Sequence, residues 1–592
     1  MPIRPGSVRS AAARVTGLLP RRRDWAAARR APRRDLLAGL TVAVVALPLA
    51  LAFGATSGLG AQAGLVTAVV AGALAAVLGG SNLQVSGPTG AMTVVLVPVV
   101  AQFGPTGVLM VGAMAGVVLV LLAIARVGRY ARYLPTPVIE GFTAGIAVVI
   151  ALQQIPAAVG VLDAHGSKVW AVAADAVARF AAHPDPGPPA VALGVAAVML
   201  LGGRWRPRLP FSLIAVAAAT LLTDFLGLDL ARIGRLPAGL PAPSLEFLQP
   251  DAIGRLLPSA LAVAALAALE SLLCATVADA MSVDEHHDPD RELFGQGLAN
   301  LVTPVFGGIP ATAAIARTAV NVRAGAGSRL AALTHAVVLA VIVLAAAPLV
   351  AGIPLAALAG VLLATAVRMV EASSLLALAR ATRGDALVLA LTFVVTVAVD
   401  LVAAIAVGLG VAVVLALRAV ARTARLEQVP LDPADHSAEE HQLLAEHIVA
   451  YRLDGPLFFA AAHQFLIELS EVDDVRVVIL RMSRVTTIDA TGAQVLGDAV
   501  TRLRRRGITV LMSGIDVRHD QVLTALGVAG QLRRDGHLFP DTPAAIAYAR
   551  AHIQHRTPHR HQPSGADPDE PGPASGPPHT GPDSTAMPAV EH

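Results

Sequence analysis

Glu270 lies deep in the apolar run 253–278, and the nearest basic residue, Arg255, stands at the far end of that run. An ionisable side chain at membrane depth is costly and reads by default as functional; a carboxyl there can carry a proton. Two further stretches interrupt long apolar runs with helix-breaking residues. Residues 84–92 read Gln-Val-Ser-Gly-Pro-Thr-Gly-Ala-Met, and residues 307–317 read Gly-Gly-Ile-Pro-Ala-Thr-Ala-Ala-Ile-Ala-Arg. Non-helical backbone is tolerated at membrane depth only where it is buried in protein or lines a cavity. If each stretch starts a half-helix, its free N–H groups and positive dipole end face that cavity, which suits an anion. Val85, Thr89, Gly90 and Ala91 would form one side, and Ala311, Thr312, Ala313, Ala314 and Ile315 the other. Small residues let backbone N–H groups approach, and Thr89 and Thr312 add hydroxyl donors. Close helix packing is the alternative use of such small residues.

The elements that must position these residues follow from composition. The chain has 592 residues, 55% hydrophobic and only 15% charged, with a mean hydropathy of +0.65. Soluble domains carry about 25% charged residues, so this is a polytopic membrane protein. Fourteen spans are expected: 36–56, 61–80, 85–102, 105–125, 136–160, 189–203, 209–228, 253–278, 291–306, 310–322, 329–350, 354–371, 384–400 and 401–424. They form seven plus seven, with a broken segment third in each half. An odd number per half inverts the second half, and matched interrupted segments in inverted halves point to a transporter's binding site.

Arginine supports an even count with both termini cytoplasmic. Residues 1–34 hold ten arginines against one acid, Asp24. The expected cytoplasmic loops carry Arg126, Arg129 and Arg132; Arg204, Arg206 and Arg208; Arg317, Arg323 and Arg329; Arg368, Arg380 and Arg383; and Arg418, Arg422 and Arg425. The expected outer loop 161–188 has Lys168 and Arg179 alone. This asymmetry is the positive-inside signature. The loop 229–252, with Arg232 and Arg235, fits it less well.

The partition is a basic arm 1–34, membrane repeats 35–228 and 229–425, a linker 426–446, an α/β domain 447–553, and a tail 554–592 whose composition predicts disorder. In the α/β domain, strands are expected at 448–453, 475–480 and 508–512, and helices at 461–471, 491–505, 519–527 and 542–553. The single Cys274 excludes an intramolecular disulfide and a cysteine metal cluster. No phosphate-binding Gly-x-x-x-x-Gly-Lys run occurs, since Lys168 is the sole lysine. Neither a cofactor nor a metal is expected. The histidines His552, His555, His559 and His561 and the loop Asp284, Glu285, His286, His287 and Asp288 read as solvated segments.

The chain resembles the SulP family of anion transporters, the solute-carrier 26 family in animals. The residues carrying the resemblance are 47–53 (LPLALAF), Ser86-Gly87-Pro88-Thr89, 141–145 (GFTAG), Glu270-Ser271, 295–300 (GQGLAN), 309–312 (IPAT), Arg317-Thr318 and, behind them, Ile488-Asp489-Ala490-Thr491-Gly492. The resemblance implies a core domain of spans 1–4 and 8–11, a gate domain of spans 5–7 and 12–14, an architecture shared with nucleobase transporters, and elevator-like motion of core against gate. It implies an anion between the facing N-termini of spans 3 and 10, with Phe53, after a break at Pro48, walling the pocket and Glu270 beside it. Arg317, about two turns into span 10, would balance Glu270 or raise the local positive potential; a cytoplasmic-end arginine is its bland reading. Glu140 is read as a gate or helix-packing residue.

The implied substrate is a small anion: bicarbonate, sulfate or a short dicarboxylate. Sodium-coupled members carry a second acid one turn after the Glu; here Cys274 stands there, which favours a proton over sodium. The soluble part looks like a STAS domain. Asp489 and Thr491 are expected to cap the helix that follows; Ala490 argues against a phosphorylation switch, and the Thr491 hydroxyl keeps that alternative open. A homodimer in a bacterial inner membrane, contact with membrane lipid and a cytoplasmic partner for the STAS domain are implied; nucleic acid is not. Span 10 offers Arg317 and no acid, against a nucleobase substrate. A membrane-anchored sensor and an anion channel are the rival classes.

Overall fold

A computed structural model describes residues 17–29, 31–133, 135–166, 168–206, 209–234, 239–282, 286–345, 347–399, 401–423, 425–429, 447–459 and 475–556. The expected helix 461–471, Asp284 and Glu285, most of the linker, residues 1–16 of the basic arm, and the tail with His559 and His561 lie outside the described residues. The chain forms two compact units, 1–416 and 417–592.

The first unit is helical. Its helices are α1 (Pro32–Thr56), α2 (Ala61–Leu78), α3 (Gly90–Ile124), α4 (Thr136–Val159), α5 (Val169–Ala182), α6 (Gly187–Trp205), α7 (Phe211–Phe225), α8 (Ile253–Ala280), α9 (Pro289–Val302), α10 (Ile315–Arg323), α11 (Arg329–Ala345), α12 (Ala347–Ala351), α13 (Leu355–Met369), α14 (Ala372–Ala381), α15 (Arg383–Ala398) and α16 (Leu401–Ala421). Among the described residues, eight helices are long and apolar enough to cross a membrane. Two-residue strands β1 (Ser86–Gly87) and β2 (Thr312–Ala313) precede α3 and α10.

Several expectations change. Pro48 does not break α1, which runs through it; one lost hydrogen bond is tolerated in a helix fixed by its neighbours. The third and fourth expected spans meet end to end in α3 at Gly104, whose φ of 67° only glycine adopts freely. The tenth begins at Ile315 rather than Pro310, because Thr312–Ala313 are extended and paired. Two helices, α5 and α14, occupy stretches read as loops.

Small residues let the helices approach. A Cβ on Gly64 would stand 2.0 Å from the Ala50 carbonyl oxygen, and one on Gly116 would stand 2.7 Å from that of Gly297. Lipid supplies no hydrophobic drive between helices, so such close backbone contact is a main source of cohesion.

The second unit holds a five-stranded sheet in the order β3 (Arg425–Val429), β4 (Ile448–Leu457), β5 (Val477–Ile488), β6 (Thr509–Ser513) and β7 (Leu538–Phe539). β3 and β4 are antiparallel and the remaining pairs parallel. Helices α17 (Ala490–Arg505), α18 (Val517–Ala525), α19 (Val528–Arg534) and α20 (Thr542–Arg556) cover it. One apolar core contains Leu480, Leu496 and Leu532, and a second contains Ile479, Leu511 and Ala549. Leu480 and Ile479 are neighbours on β5, so the alternation of the strand feeds both faces. The start of the segment read as linker belongs to β3 and pairs with β4.

Candidate functional site

The two broken segments meet. Ser86 pairs with Ala313 and Gly87 with Thr312 in an antiparallel ladder, extended by the Ala314 N–H donating to the Val85 carbonyl at 3.1 Å. β1 leads into α3 and β2 into α10. Antiparallel pairing therefore sends the two helices apart with their N-termini adjacent. The first N–H groups of a helix have no partner within it, and no side chain caps α3 or α10. Thr89 occupies the N-cap position of α3, where a threonine hydroxyl ordinarily accepts from the first turn. Here it turns away, leaving the N–H groups of Gly90, Ala91 and Met92 outside any capping bond. Ile315, Ala316 and Arg317 form the equivalent first turn of α10.

The Thr89 hydroxyl donates instead to Glu270 Oε2 at 3.0 Å, and the Thr312 hydroxyl reaches the same oxygen at 2.7 Å. The two hydroxyl oxygens are 3.2 Å apart. Glu270, from α8, is partly buried. Its neighbour Ser271 accepts from the Ala313 N–H at 3.2 Å, and the Ser271 carbonyl accepts from Gln84 Nε2 at 3.1 Å. α8 therefore grips both broken segments at the point where the carboxylate enters.

Arg317 is buried, 2% exposed. It sits in the first turn of α10, not two turns in, because the helix starts late. One guanidinium nitrogen donates to the Pro88 carbonyl at 2.9 Å. The other has no hydrogen-bond partner and abuts Gly87, where a Cβ would stand 2.5 Å from it. Arg317 thus bridges the two breaks, unlike an arginine of a cytoplasmic loop.

Phe53 is buried, and its ring edge would stand 3.1 Å from a Cβ on Gly90; Ile150 of α4 would stand 2.2 Å from the same atom. Glycine at the start of α3 is what lets Phe53 and Ile150 close over that end. Val85, Ala91, Ala311 and Ala313 are buried beside the strands. Ile315 is 40% exposed, so it brings to the junction its backbone rather than a packed side chain. Glu140 lies apart, accepting from the Ser374 hydroxyl at 3.0 Å.

Sequence reasoning missed Ile150 and the double role of Thr318. The Thr318 hydroxyl accepts from the Val85 N–H at 3.0 Å and contacts Cys274 Sγ at 3.1 Å. Nothing in the spacing of these residues along the chain marks them.

In the second unit Asp489 caps α17, accepting from the Gly492 N–H at 2.7 Å and the Phe459 N–H at 3.1 Å. Thr491 is exposed in the first turn and is not the cap residue.

Comparison with known proteins gives consistent matches. The sulfate permease family profile matches residues 33–392, and the STAS domain profile matches residues 443–545. YvdB of Bacillus subtilis (strain 168) is 34% identical over 520 residues, spanning 86% of this chain and 96% of that protein. The transmembrane domain of a cyanobacterial bicarbonate transporter, BicA, superposes with a TM-score of 0.59 at 34% identity, over 64% of this chain and 98% of that one. Murine solute carrier 26 family member A9, an anion transporter in its inward-facing state, superposes with a TM-score of 0.77 over 91% of this chain and 95% of that one. At 18% identity that likeness establishes shared fold.

Proposed function

The chain belongs to the sulfate permease family, and from that premise we propose that it is a secondary active transporter of a small oxyanion, bicarbonate, sulfate or a short dicarboxylate, coupled to protons through Glu270. The observation that carries this reading is the convergence of two uncapped helix N-termini on the carboxylate that both threonine hydroxyls contact. Uncapped N–H groups and the positive dipole ends of α3 and α10 favour an anion. Phe53, Val85, Thr89, Gly90 and Ala91 form one side of the pocket, and Ala311, Thr312, Ala313, Ala314 and Ile315 the other. Arg317 adds positive charge behind them.

The hydrogen bonds supply a coupling mechanism. While Glu270 is ionised, its Oε2 accepts from both hydroxyls and its negative charge opposes a bound anion. A proton on Glu270 removes that charge and makes the carboxyl a donor. The hydroxyls of Thr89 and Thr312 are then free to turn toward the substrate. Proton and anion therefore favour one another's binding, and by linkage the effect is reciprocal.

The remaining parts of the reading are a fourteen-span, seven-plus-seven arrangement, elevator-like movement of core against gate, and a homodimer in a bacterial inner membrane with both termini cytoplasmic. The arginine distribution supports this orientation.

Counterflow into proteoliposomes of the purified chain tests the substrate class. Vesicles loaded with unlabelled bicarbonate, sulfate, fumarate or succinate should accumulate the matching label transiently for one of them. Accumulation that appears only once sodium is added would favour sodium coupling, with Ser271 and Thr312 as oxygen ligands. No accumulation of any of the four by folded protein would contradict the transporter reading and favour a membrane sensor.

A further inference from the structure

The pocket just described is assembled from two breaks far apart in sequence, joined by a ladder only two residues long. So short a ladder does not by itself fix the separation of two helix ends. A polar stripe on α9 reaches both breaks. Glu292, Gln296 and Asn300 follow one another at four-residue spacing, so they share one face of the helix. Each is buried.

Asn300 holds the second break. Its Nδ2 donates to the Ala311 carbonyl at 2.9 Å and its Oδ1 accepts from the Ala311 N–H at 2.8 Å. A side-chain amide thus pairs with a peptide group in both directions, as a strand neighbour would, on the residue that precedes β2. Gln296 holds the first break. Its Nε2 donates to the Ser86 hydroxyl at 2.6 Å and to Glu292 Oε1 at 2.9 Å. Glu292 anchors the stripe on the turn before β1, where its Oε2 accepts from the N–H groups of Gly80 at 2.9 Å and Ser81 at 3.2 Å. The helix comes close enough because Gly295 meets Gly79: a Cβ at Gly295 would stand 2.5 Å from the Gly79 backbone.

We propose that Gln296 and Asn300 are positioning residues, which hold Ser86 and Ala311 at a fixed separation on one rigid helix and so set the distance between the N-termini of α3 and α10 that determines anion affinity. Neither residue touches the N–H groups of the first helical turns, so each acts through the backbone it holds. The consequence for affinity rests on the functional reading above; the tethering does not. Broken tethers leave buried peptide groups unpaired and let the two helix ends drift. Electrostatic stabilisation by fixed dipoles depends on such preorganisation.

Two measurements on the full-length protein test this. Hydrogen–deuterium exchange, with no anion added, is followed in peptides covering 84–92 and 309–317. Gln296→Ala should speed exchange in the first and Asn300→Ala in the second, each by about fivefold or more. Thr303→Val serves as the control: its buried hydroxyl, on the residue that ends α9, donates to the Ala299 carbonyl of that helix at 2.7 Å. It should leave both segments unchanged. In proteoliposomes, with labelled sulfate and bicarbonate as probes, Asn300→Ala should raise KM about tenfold and change turnover at saturation far less. Exchange at the breaks equal to that of wild type, or raised equally by Thr303→Val, would overturn the tether. Faster exchange with an unchanged KM would overturn its role in affinity. A wild-type protein that takes up neither probe would defeat the functional reading, and exchange would still decide the tether.

Discussion

Thr312 of the second break and Glu270 of α8 share a hydrogen bond of 2.7 Å, with the hydroxyl donating to Oε2. Thr89 of the first break donates to the same oxygen at 3.0 Å. One carboxylate oxygen therefore joins both breaks.

Thr312→Val keeps the shape of the side chain and removes the hydroxyl. Hydrogen bonds to charged groups contribute about 1.5–3 kcal/mol, so uptake efficiency, kcat/KM, should fall by about tenfold or more. Thr89→Val should act in the same direction. Because both hydroxyls serve one oxygen, the double variant should lose less than the product of the single losses. Initial-rate uptake at several anion concentrations provides the check.

Gly90 is tightly confined. A Cβ there would stand 2.2 Å from Ile150 Cδ1 and 3.1 Å from the Phe53 ring. Gly90→Ala should weaken anion affinity by pushing the first turn of α3 out of place. Ile150→Val removes the atom in the way and should recover part of the loss. Recovery in the double variant, measured as KM, separates this contact from a general loss of fold.

The two breaks were legible in the sequence because Gly, Pro and Thr stand out within apolar runs, and Glu270 because a carboxylate there is costly. Their pairing was not legible: two-residue strands carry no alternating pattern to read. The late start of α10 was hidden for a related reason. Asn300 holds both the N–H and the carbonyl of Ala311, a tertiary contact that overrides the helix preference of an alanine-rich stretch. Helices α5 and α14 were missed because charged and polar residues among short apolar clusters resemble loops. β3 was missed because it follows a span directly and pairs with a strand beyond the linker.

Gly64 lies against the backbone of α1, and a Cβ would stand 2.0 Å from the Ala50 carbonyl oxygen. Backbone cannot yield as a flexible side chain does. Gly64→Ala should destabilise the membrane unit by about 1–3 kcal/mol or more, seen as a lower thermal unfolding midpoint in detergent. Gly194→Ala, which meets nothing within 4 Å, should leave the midpoint unchanged.

Asp24, in the segment just ahead of α1, pairs with Arg291 at 2.6 Å. Burial pushes its pKa up, but the hydrogen bonds from Arg291 and the Arg21 N–H outweigh this and hold the carboxyl below its usual range. A depressed folded value means that the stabilisation is complete above the ordinary Asp range and is lost as pH falls through the folded value. The segment 17–29 should therefore stay protected from limited proteolysis at neutral pH and become cleavable in acid. Asp24→Asn should be cleavable at neutral pH.

Coupling of protons to anion movement is proposed to run through Glu270. The most direct measurement is uptake of the labelled anion into sodium-free proteoliposomes, with and without an inward proton gradient, for wild type and Glu270→Gln. The gradient should accelerate wild-type uptake, whereas Glu270→Gln, uncharged at any pH, should still exchange anion but no longer respond to the gradient. Wild-type uptake indifferent to the gradient, or acceleration retained in Glu270→Gln, would contradict that coupling.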